Sequence, residues 1–339
     1  MTSLGRIDPV THNPDGTPID PDAPASPHVL RQMHRELVQG KGRDLLTSSP
    51  LLLLALAALV AGGAFPDVVG FLLSVGVIGI GAYTQEAFEW FTLRRADPLT
   101  LQETEARERA ERSAFENDFR TRAKAQVPVA TLALMGAIST VTIVQFVRMT
   151  QTSPAVIGSA ALVKSAVRAG EWWRLLTATY LHGSALHLLG NLGALVALGE
   201  IFEVYEGRMR LPLVYLVAAI AGSACSVLLL KATSVGASGG ILGVAGYLVT
   251  AAGRGSAGTP RLVRGRMVRL LASTALVGLA GFSFVDNGAH LGGILGGTAL
   301  GLTLPRGDAR RERLVARLGT AASAILLAGA AFTIYRLLR

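Results

Sequence analysis

The stretch Gly236-Ala-Ser-Gly-Gly-Ile-Leu-Gly-Val-Ala-Gly246 places one hydroxyl, that of Ser238, at the start of an apolar run stepped by glycines. Further along the chain, Asp286-Asn-Gly-Ala-His-Leu-Gly-Gly293 places one imidazole, His290, at the start of a similar run. Small residues repeated every four positions let two helices approach closely in a bilayer. The two stretches therefore predict that Ser238 and His290 meet inside a bundle of membrane helices.

The composition excludes an ordinary soluble domain. Half of the residues are hydrophobic, only 16% are charged, and apolar runs recur along the chain. A helix needs about 20 predominantly apolar residues to cross a bilayer, and several runs approach that length. We therefore expect an all-α polytopic membrane protein. The net charge of +9 comes from Lys and Arg clustered between the runs, which indicates cytoplasmic loops rather than nucleic-acid binding.

Composition also divides the chain into five regions. They are a partly disordered cytoplasmic tail (1–48), a transmembrane hairpin (49–85), a charged cytoplasmic linker helix (86–126), a six-span core (127–305) and an additional C-terminal transmembrane helix (306–339). Pro66-Asp67 suits a turn between the two hairpin arms, Leu51–Phe65 and Val68–Tyr83. Within the tail, residues 28–43 predict either a basic helix at the membrane surface or a solvated segment.

The later spans are ordered by the charges between them. The predicted spans are Val127–Val147, Leu186–Phe202, Leu211–Leu230, Ser238–Ala252, Met267–Val285, Ala289–Leu304 and Leu314–Leu337. Arg and Lys concentrate in alternate connections, which predicts that the amino end is cytoplasmic and that the whole chain has about nine spans. Lys164, Arg168 and Arg174 are exceptions, because they fall on the outer side.

Ser238 and His290 carry the chemistry. A serine hydroxyl needs a base to become a nucleophile, and His290 enters the membrane from the same side. The start of a helix at Ser238 also offers N–H donors to a developing oxyanion. The alternative is a serine that caps a helix held by glycine packing. Asp286 precedes His290 by one turn, but its simpler role is a helix cap, so a Ser-His dyad is expected rather than a triad.

The other core histidines are His182 and His187. A histidine buried in lipid is costly and is a functional candidate by default, although each of them also fits a hydrogen-bonded core position. His187 and Asn191 are four residues apart and share one helix face. Both side chains suit an oxyanion hole or the positioning of a water. The alternative for this pair is an interhelical hydrogen bond that only holds the bundle together.

A specific resemblance joins these residues. The chain carries, in order, Trp173-Arg174, His182, His187, Asn191, Glu203 with Gly207, Tyr215, Gly236-Ala-Ser238-Gly239 and Asn287-Gly-Ala-His290-Leu-Gly-Gly293. From about Val127 to Leu304 it resembles the rhomboid family of intramembrane serine proteases. The resemblance implies that Ser238 is the nucleophile and His290 the general base. It also implies that His187, Asn191 and the Ser238 backbone N–H line the oxyanion hole.

The resemblance assigns supporting roles as well. Trp173 and Arg174 lie in an outer loop that dips into the leaflet, and His182 is a structural hydrogen-bonding residue near it. Leu242 stands where some relatives have an aromatic residue packed on the catalytic histidine, so it marks a departure that affects how firmly His290 is held. Ala237 is not the proline found in some inactive relatives. The span Leu314–Leu337 is similar to the last helix of seven-span members.

We therefore expect hydrolysis of a peptide bond in or next to a transmembrane helix near the outer interface, without a metal or cofactor. The expected partners are single-span or polytopic membrane proteins and the lipid bilayer, in a bacterial cytoplasmic membrane. One alternative is a catalytically silent rhomboid-like protein that binds membrane clients. A second is a small-solute transporter, which would more often show broken helices and repeated halves.

Overall fold

The computed structural model describes residues 27–62, scattered residues between 83 and 97, and 101–339 apart from 255–259, 281–284 and 306. These residues form helices and no strand, which confirms the all-α class. The helices are α1 Pro27–Gly62, α2 Leu101–Lys124, α3 Val129–Gln151, α4 Lys164–Arg168, α5 Arg174–Thr177, α6 Ala185–Glu206, α7 Arg210–Leu229, α8 Ser238–Gly253, α9 Arg261–Ala280, α10 Asn287–Thr303 and α11 Ala309–Leu338. Two 3-10 segments, Pro154–Ser159 and Ala178–Tyr180, lie between them.

Four helices of the described residues, α3, α6, α7 and α11, are long and apolar enough to cross a membrane. Helix α8 is equally apolar but has 16 residues. The chain is therefore an integral membrane protein. Helix α1 runs without a break through the predicted boundary between tail and hairpin. Residues 1–26 and most of the second hairpin arm, Val68–Tyr83, lie outside the described residues, so the hairpin and the total span count stay predictions.

Helix α10 lies between α7 and α8, and two rows of glycine allow both contacts. The row towards α8 is Gly293, Gly297 and Gly301, and the row towards α7 is Gly288, Gly292 and Gly296. A Cβ on Gly293 would lie 2.7 Å from the carbonyl carbon of Gly239, and one on Gly292 would lie 2.5 Å from the carbonyl oxygen of Ala221. Because no side chain fits at these distances, glycine sets how closely the three backbones approach.

Helices α6 and α3 are tied together by one carboxylate. Glu203, buried near the end of α6, accepts hydrogen bonds from the Thr131 backbone N–H (2.7 Å), the Thr131 hydroxyl (2.6 Å) and the Ala130 N–H (3.3 Å). The first N–H groups of a helix have no acceptor within it. Glu203 therefore caps α3 from a neighbouring helix, and its negative charge lies at the favourable end of the α3 dipole.

Helix α11 packs on α7 and α3 and reaches the connection between α3 and α6. The Tyr180 hydroxyl donates to the Leu326 carbonyl at 2.7 Å, and the Arg336 guanidinium donates to the Ser159 carbonyl at 3.4 Å. We call the end of the bundle that carries 152–184, 230–237 and 285–287 the site end. At the opposite end, α2 stacks Phe115 on Tyr205 of α6, with ring centroids 6.1 Å apart.

Candidate active site

Ser238 begins α8 after a sharp turn at Gly236. The backbone of Gly236 has φ = 137°, a conformation that L residues rarely adopt, and its N–H donates to the Ala178 carbonyl at 3.0 Å. The first hydrogen bond of α8 runs from the Ile241 N–H to the Ala237 carbonyl. The N–H groups of residues 238–240 therefore have no acceptor inside the helix. The turn thus presents one hydroxyl together with a group of N–H donors.

His290 lies in the first turn of α10 and faces Ser238. Its Nε2 is 2.8 Å from the Ser238 Oγ, and both residues are half-buried. This distance lies within the range in which a base can take a hydroxyl proton. The Asp286 carboxylate accepts the Ala289 N–H at 2.8 Å and caps α10. The structure therefore brings the two predicted residues together and places Asp286 at the helix start.

The His187 side chain lies against the same turn, and Asn191 lies four residues further along α6. A Cβ on Gly236 would lie 2.9 Å from His187 Cε1 and 3.1 Å from its Nε2, so this ring lies directly against the backbone just before Ser238. Asn191 is buried, and its Nδ2 donates to the His187 carbonyl at 3.0 Å. An amide nitrogen carries two protons, so one N–H of Asn191 is engaged within α6 and the second is not used by that bond.

His182 is fully buried and held by α3. Its backbone N–H donates to Gln145 Oε1 (3.0 Å), and its carbonyl accepts from Gln145 Nε2 (2.7 Å). The Thr142 hydroxyl donates to the Tyr180 carbonyl, so it accepts from His182 Nδ1, 3.1 Å away. This network assigns the Nδ1–H tautomer and leaves Nε2 as an acceptor that is buried without a partner among the described residues. The His182 ring is T-shaped against His187, with centroids 5.0 Å apart.

Trp173 and Arg174 anchor the connection at the site end. Arg174 is buried and donates to Glu171 (2.6 Å) and to the carbonyls of Gly158 (2.8 Å) and Ala161 (2.7 Å). Its guanidinium also lies 4.5 Å from the Trp173 ring centroid. The second cation on that ring is Arg336 of α11, at 4.6 Å. The two residues thus join the connection to the last helix.

The remaining sequence predictions fall on buried positions. Leu242 and Ala237 are buried, and Gly239 faces α10, where a Cβ would lie 3.0 Å from the Ala289 carbonyl oxygen. Tyr215 of α7 packs under Gly240, whose Cβ would lie 2.6 Å from its ring. Within the described residues, no group of three or more His, Cys, Asp and Glu side chains is placed to bind a metal ion.

Sequence reasoning missed the partners of three cations at the site end. Lys164 pairs with Asp286, Arg168 donates to the Val227 carbonyl, and Arg174 binds the groups described above. All three were exceptions to the charge rule that orients the spans. A cation on the side where cations are rare was therefore the available indication that each has a specific partner.

Comparison with known proteins shows that the segment carrying the site is similar to one family. Residues 169–307 match the family model for the Rhomboid domain. The chain is 35% identical over 161 residues to Rhomboid protease GluP of Bacillus subtilis (strain 168), covering 47% of this chain and 32% of that protein. It is 35% identical over 148 residues to RHOMBOID-like protein 6, mitochondrial, of Arabidopsis thaliana, covering 42% of this chain and 46% of the relative.

A further relative is Inactive RHOMBOID-like protein 8 of Arabidopsis thaliana, which is 28% identical over 126 residues, or 37% of this chain and 36% of that protein. This chain thus matches between about a third and a half of the length of these relatives. The matched segment contains the Trp173 connection, Ser238 and His290.

Proposed function

We propose that this chain, whose residues 169–307 match the Rhomboid domain, is an intramembrane serine endopeptidase of the rhomboid family. The 2.8 Å approach of Ser238 Oγ to His290 Nε2 is the observation that carries the proposal. Similarity to a protein named as a rhomboid protease supports it. A silent client-binding protein would not need this hydroxyl and imidazole within proton-transfer distance.

In the proposed reaction His290 Nε2 takes the Ser238 proton while Oγ attacks the carbonyl carbon of the scissile peptide. The tetrahedral oxyanion would be stabilised by the N–H donors at the start of α8, the second N–H of Asn191 and a ring N–H of His187. His290 then returns the proton to the leaving amine and an acyl-enzyme forms. Water, deprotonated by the same imidazole, hydrolyses the ester and restores Ser238.

The geometry supports a dyad. The Asp286 carboxylate accepts hydrogen bonds from the Ala289 N–H, from the Ser226 hydroxyl at 2.5 Å and from the Lys164 ammonium at 3.4 Å. These contacts fix Asp286 as the cap of α10. His182 acts on the site through packing, because its Nδ1 is engaged by Thr142 and its ring contacts His187. It is therefore proposed as a structural residue.

The proposed substrates are membrane proteins with one or several spans, cut near the outer interface. An extended strand must reach Ser238, so spans with small or helix-breaking residues are favoured. We further propose that 127–305 form the catalytic core, that 306–339 add a further span and that 1–48 are cytoplasmic. The proposed setting is a bacterial cytoplasmic membrane. Arginine-rich connections at the end opposite the site support this orientation.

Cleavage of a model single-span substrate by the purified protein tests the proposal. The wild type should cut it, and Ser238→Ala and His290→Ala should not. Ser273→Ala is the matched control, because among the described residues its hydroxyl bonds carbonyls of its own helix, those of Arg269 and Leu270. Equal cleavage by all four proteins would remove the protease assignment. Binding of the substrate without cleavage by the wild type would favour the client-binding alternative.

The oxyanion assignment has its own test. Asn191→Ala should lower kcat by roughly 100-fold, the usual cost of one oxyanion donor, with little change in KM. A change confined to KM would instead assign Asn191 to the bundle. Labelling of Ser238 by a fluorophosphonate probe, lost in Ser238→Ala, identifies the nucleophile directly.

A further inference from the structure

Lys164 is a cation in an unusual position. It lies at the start of the short helix α4, its residue is 1% exposed, and it is among the largest fully buried side chains of the described residues. A buried ammonium is costly unless it is paired and hydrogen-bonded. Its Nζ donates to the Ser234 hydroxyl at 2.5 Å and to the Asp286 carboxylate at 3.4 Å. The two partners belong to two different segments.

Ser234 belongs to the segment that leads to the nucleophile. It precedes Ser238 by one short stretch, which contains the Gly236 turn. Its backbone forms an isolated antiparallel bridge with Leu162, with hydrogen bonds of 3.0 and 3.4 Å, two residues before Lys164. The backbone and the ammonium together therefore hold this segment against α4.

Asp286 belongs to the segment that leads to the base. Its carboxylate caps α10, and its backbone carbonyl accepts the His290 N–H at 3.1 Å. The same carboxylate accepts the buried Ser226 hydroxyl of α7 at 2.5 Å. A shift of Asp286 would thus be transmitted directly to the backbone that carries the imidazole.

We propose that Lys164 is a positioning residue: its buried ammonium joins the segment before Ser238 to the cap of the His290 helix and so sets the distance between nucleophile and base. The inference rests on the proposed function. Within the described residues, the Lys164 ammonium bonds Ser234 and Asp286 and neither Ser238 nor His290. It acts through Ser234 on one side and Asp286 on the other.

Arg168 provides a matched comparison on the same helix. Its guanidinium donates to the Val227 carbonyl of α7. It thus anchors α4 as Lys164 does, but it bonds a backbone carbonyl and, within the described residues, neither Ser234 nor Asp286. Arg168→Met therefore removes a bond between α4 and α7 only. Lys164→Met removes the bonds from α4 to the two segments that lead to Ser238 and His290.

The test is the rate at which a fluorophosphonate probe labels Ser238 in the full-length protein, per folded molecule, at increasing probe concentration. Lys164→Met should lower the maximal labelling rate by roughly 10- to 100-fold, because misplacement of reacting groups by about 1 Å costs that much. The half-saturating probe concentration should not change. Arg168→Met should lower the melting temperature and leave the maximal rate within about twofold of the wild type, a difference too small for a positioning effect.

Two further variants separate positioning from folding. Asp286→Asn keeps a capping oxygen but loses the charge, and Ser234→Ala removes the hydroxyl that accepts from Lys164 and also bonds Asp286. Both should slow labelling, and Lys164→Met with Asp286→Asn should be no slower than the worse single variant, because residues in one network are not additive. Wild-type labelling rates in folded Lys164→Met and Ser234→Ala would overturn the inference and leave the protease assignment standing. A wild type that is not labelled, or labelling that survives Ser238→Ala, would instead overturn the protease assignment and the inference with it.

Discussion

Replacing Gly293 by alanine tests whether the glycine rows set the geometry of the site. Gly293 lies one turn after His290, and its added Cβ would lie 2.7 Å from the carbonyl carbon of Gly239, the residue after Ser238. Carbon atoms in contact are about 3.5–4.0 Å apart. Helices α8 and α10 must therefore separate by roughly 1 Å next to the two reacting side chains.

That displacement is large on the scale of the site. The Ser238 Oγ to His290 Nε2 distance of 2.8 Å would lengthen beyond hydrogen-bond reach. We expect the rate of cleavage and of fluorophosphonate labelling to fall by about 100-fold. Overpacking should also lower the free energy of unfolding by about 1–3 kcal/mol. The two effects are separated by expressing the rate per folded molecule.

Gly136→Ala is the matched control for this experiment. Gly136 lies in the middle of α3, and a Cβ there would meet nothing within 4 Å. It should retain wild-type labelling and stability, or gain slightly, because alanine is the better helix former. The reasoning is refuted if Gly293→Ala is labelled at the wild-type rate with an unchanged melting temperature.

Three further predictions concern the bonds around the site. Glu203→Gln should lower the free energy of unfolding by about 2 kcal/mol, measured by thermal unfolding in detergent. Oε1 accepts both Thr131 groups and Oε2 accepts the Ala130 N–H, so an amide that keeps the Thr131 bonds would turn its NH2 donor towards the Ala130 N–H and lose the charge at the start of α3. Arg336→Leu should lower the free energy of unfolding by about 1 kcal/mol, because the Trp173 ring loses one of the two guanidinium groups described on it. The change in Trp173 fluorescence on unfolding should then be smaller than in the wild type. Asp286→Asn should make stability depend less on pH on the acid side. Burial raises the pKa of Asp286, but hydrogen bonds from serine hydroxyls and a backbone N–H, together with the Lys164 charge, lower it by more. The pKa of Asp286 therefore lies below its usual range.

The sign of the last prediction follows from linkage. A carboxyl group with a depressed pKa in the folded state stabilises the fold above its unfolded pKa of about 3.9 and loses that contribution as the pH falls. The stability advantage of the wild type over Asp286→Asn should therefore shrink below about pH 5. An advantage that grows on acidification would contradict it. For Glu203, the control is Glu200→Gln on the same helix, and an equal loss in both variants would show that capping of α3 is not the cause.

The sequence predicts the features that depend on spacing along one helix. The order of apolar runs gives the all-α class, and the family resemblance is confirmed by the Rhomboid domain match. The glycine spacing predicts close helix contact near Ser238 and His290. It does not separate the glycines into two rows, because that division depends on which neighbour lies on each side of α10. The catalytic roles of Ser238 and His290 stay predictions that the labelling experiments test.

Features that depend on pairing between distant residues were not predictable. Lys164 and Asp286 are 122 positions apart, and Glu203 reaches Thr131 across 72 positions. In both pairs, the sequence around one residue does not indicate which distant residue it binds. The only trace was that Lys164 lies on the side where cations are rare. The second N–H of Asn191 illustrates the same point, since its first bond to the His187 carbonyl follows from helical spacing and its second partner does not.

The attachment of the site-end connection to α11 has a consequence for the order in which the molecule is made. Arg336 and Ser159 are 177 positions apart, and Tyr180 and Leu326 are 146 positions apart. Ser238 and His290 leave the ribosome well before α11 does. During synthesis, the residues around Trp173 therefore lack their bonds to α11, because α11 has not yet been translated. Ser238 and His290 are therefore in the membrane before the connection beside them gains its bonds to α11, and the site end of a nascent chain is incomplete until α11 inserts.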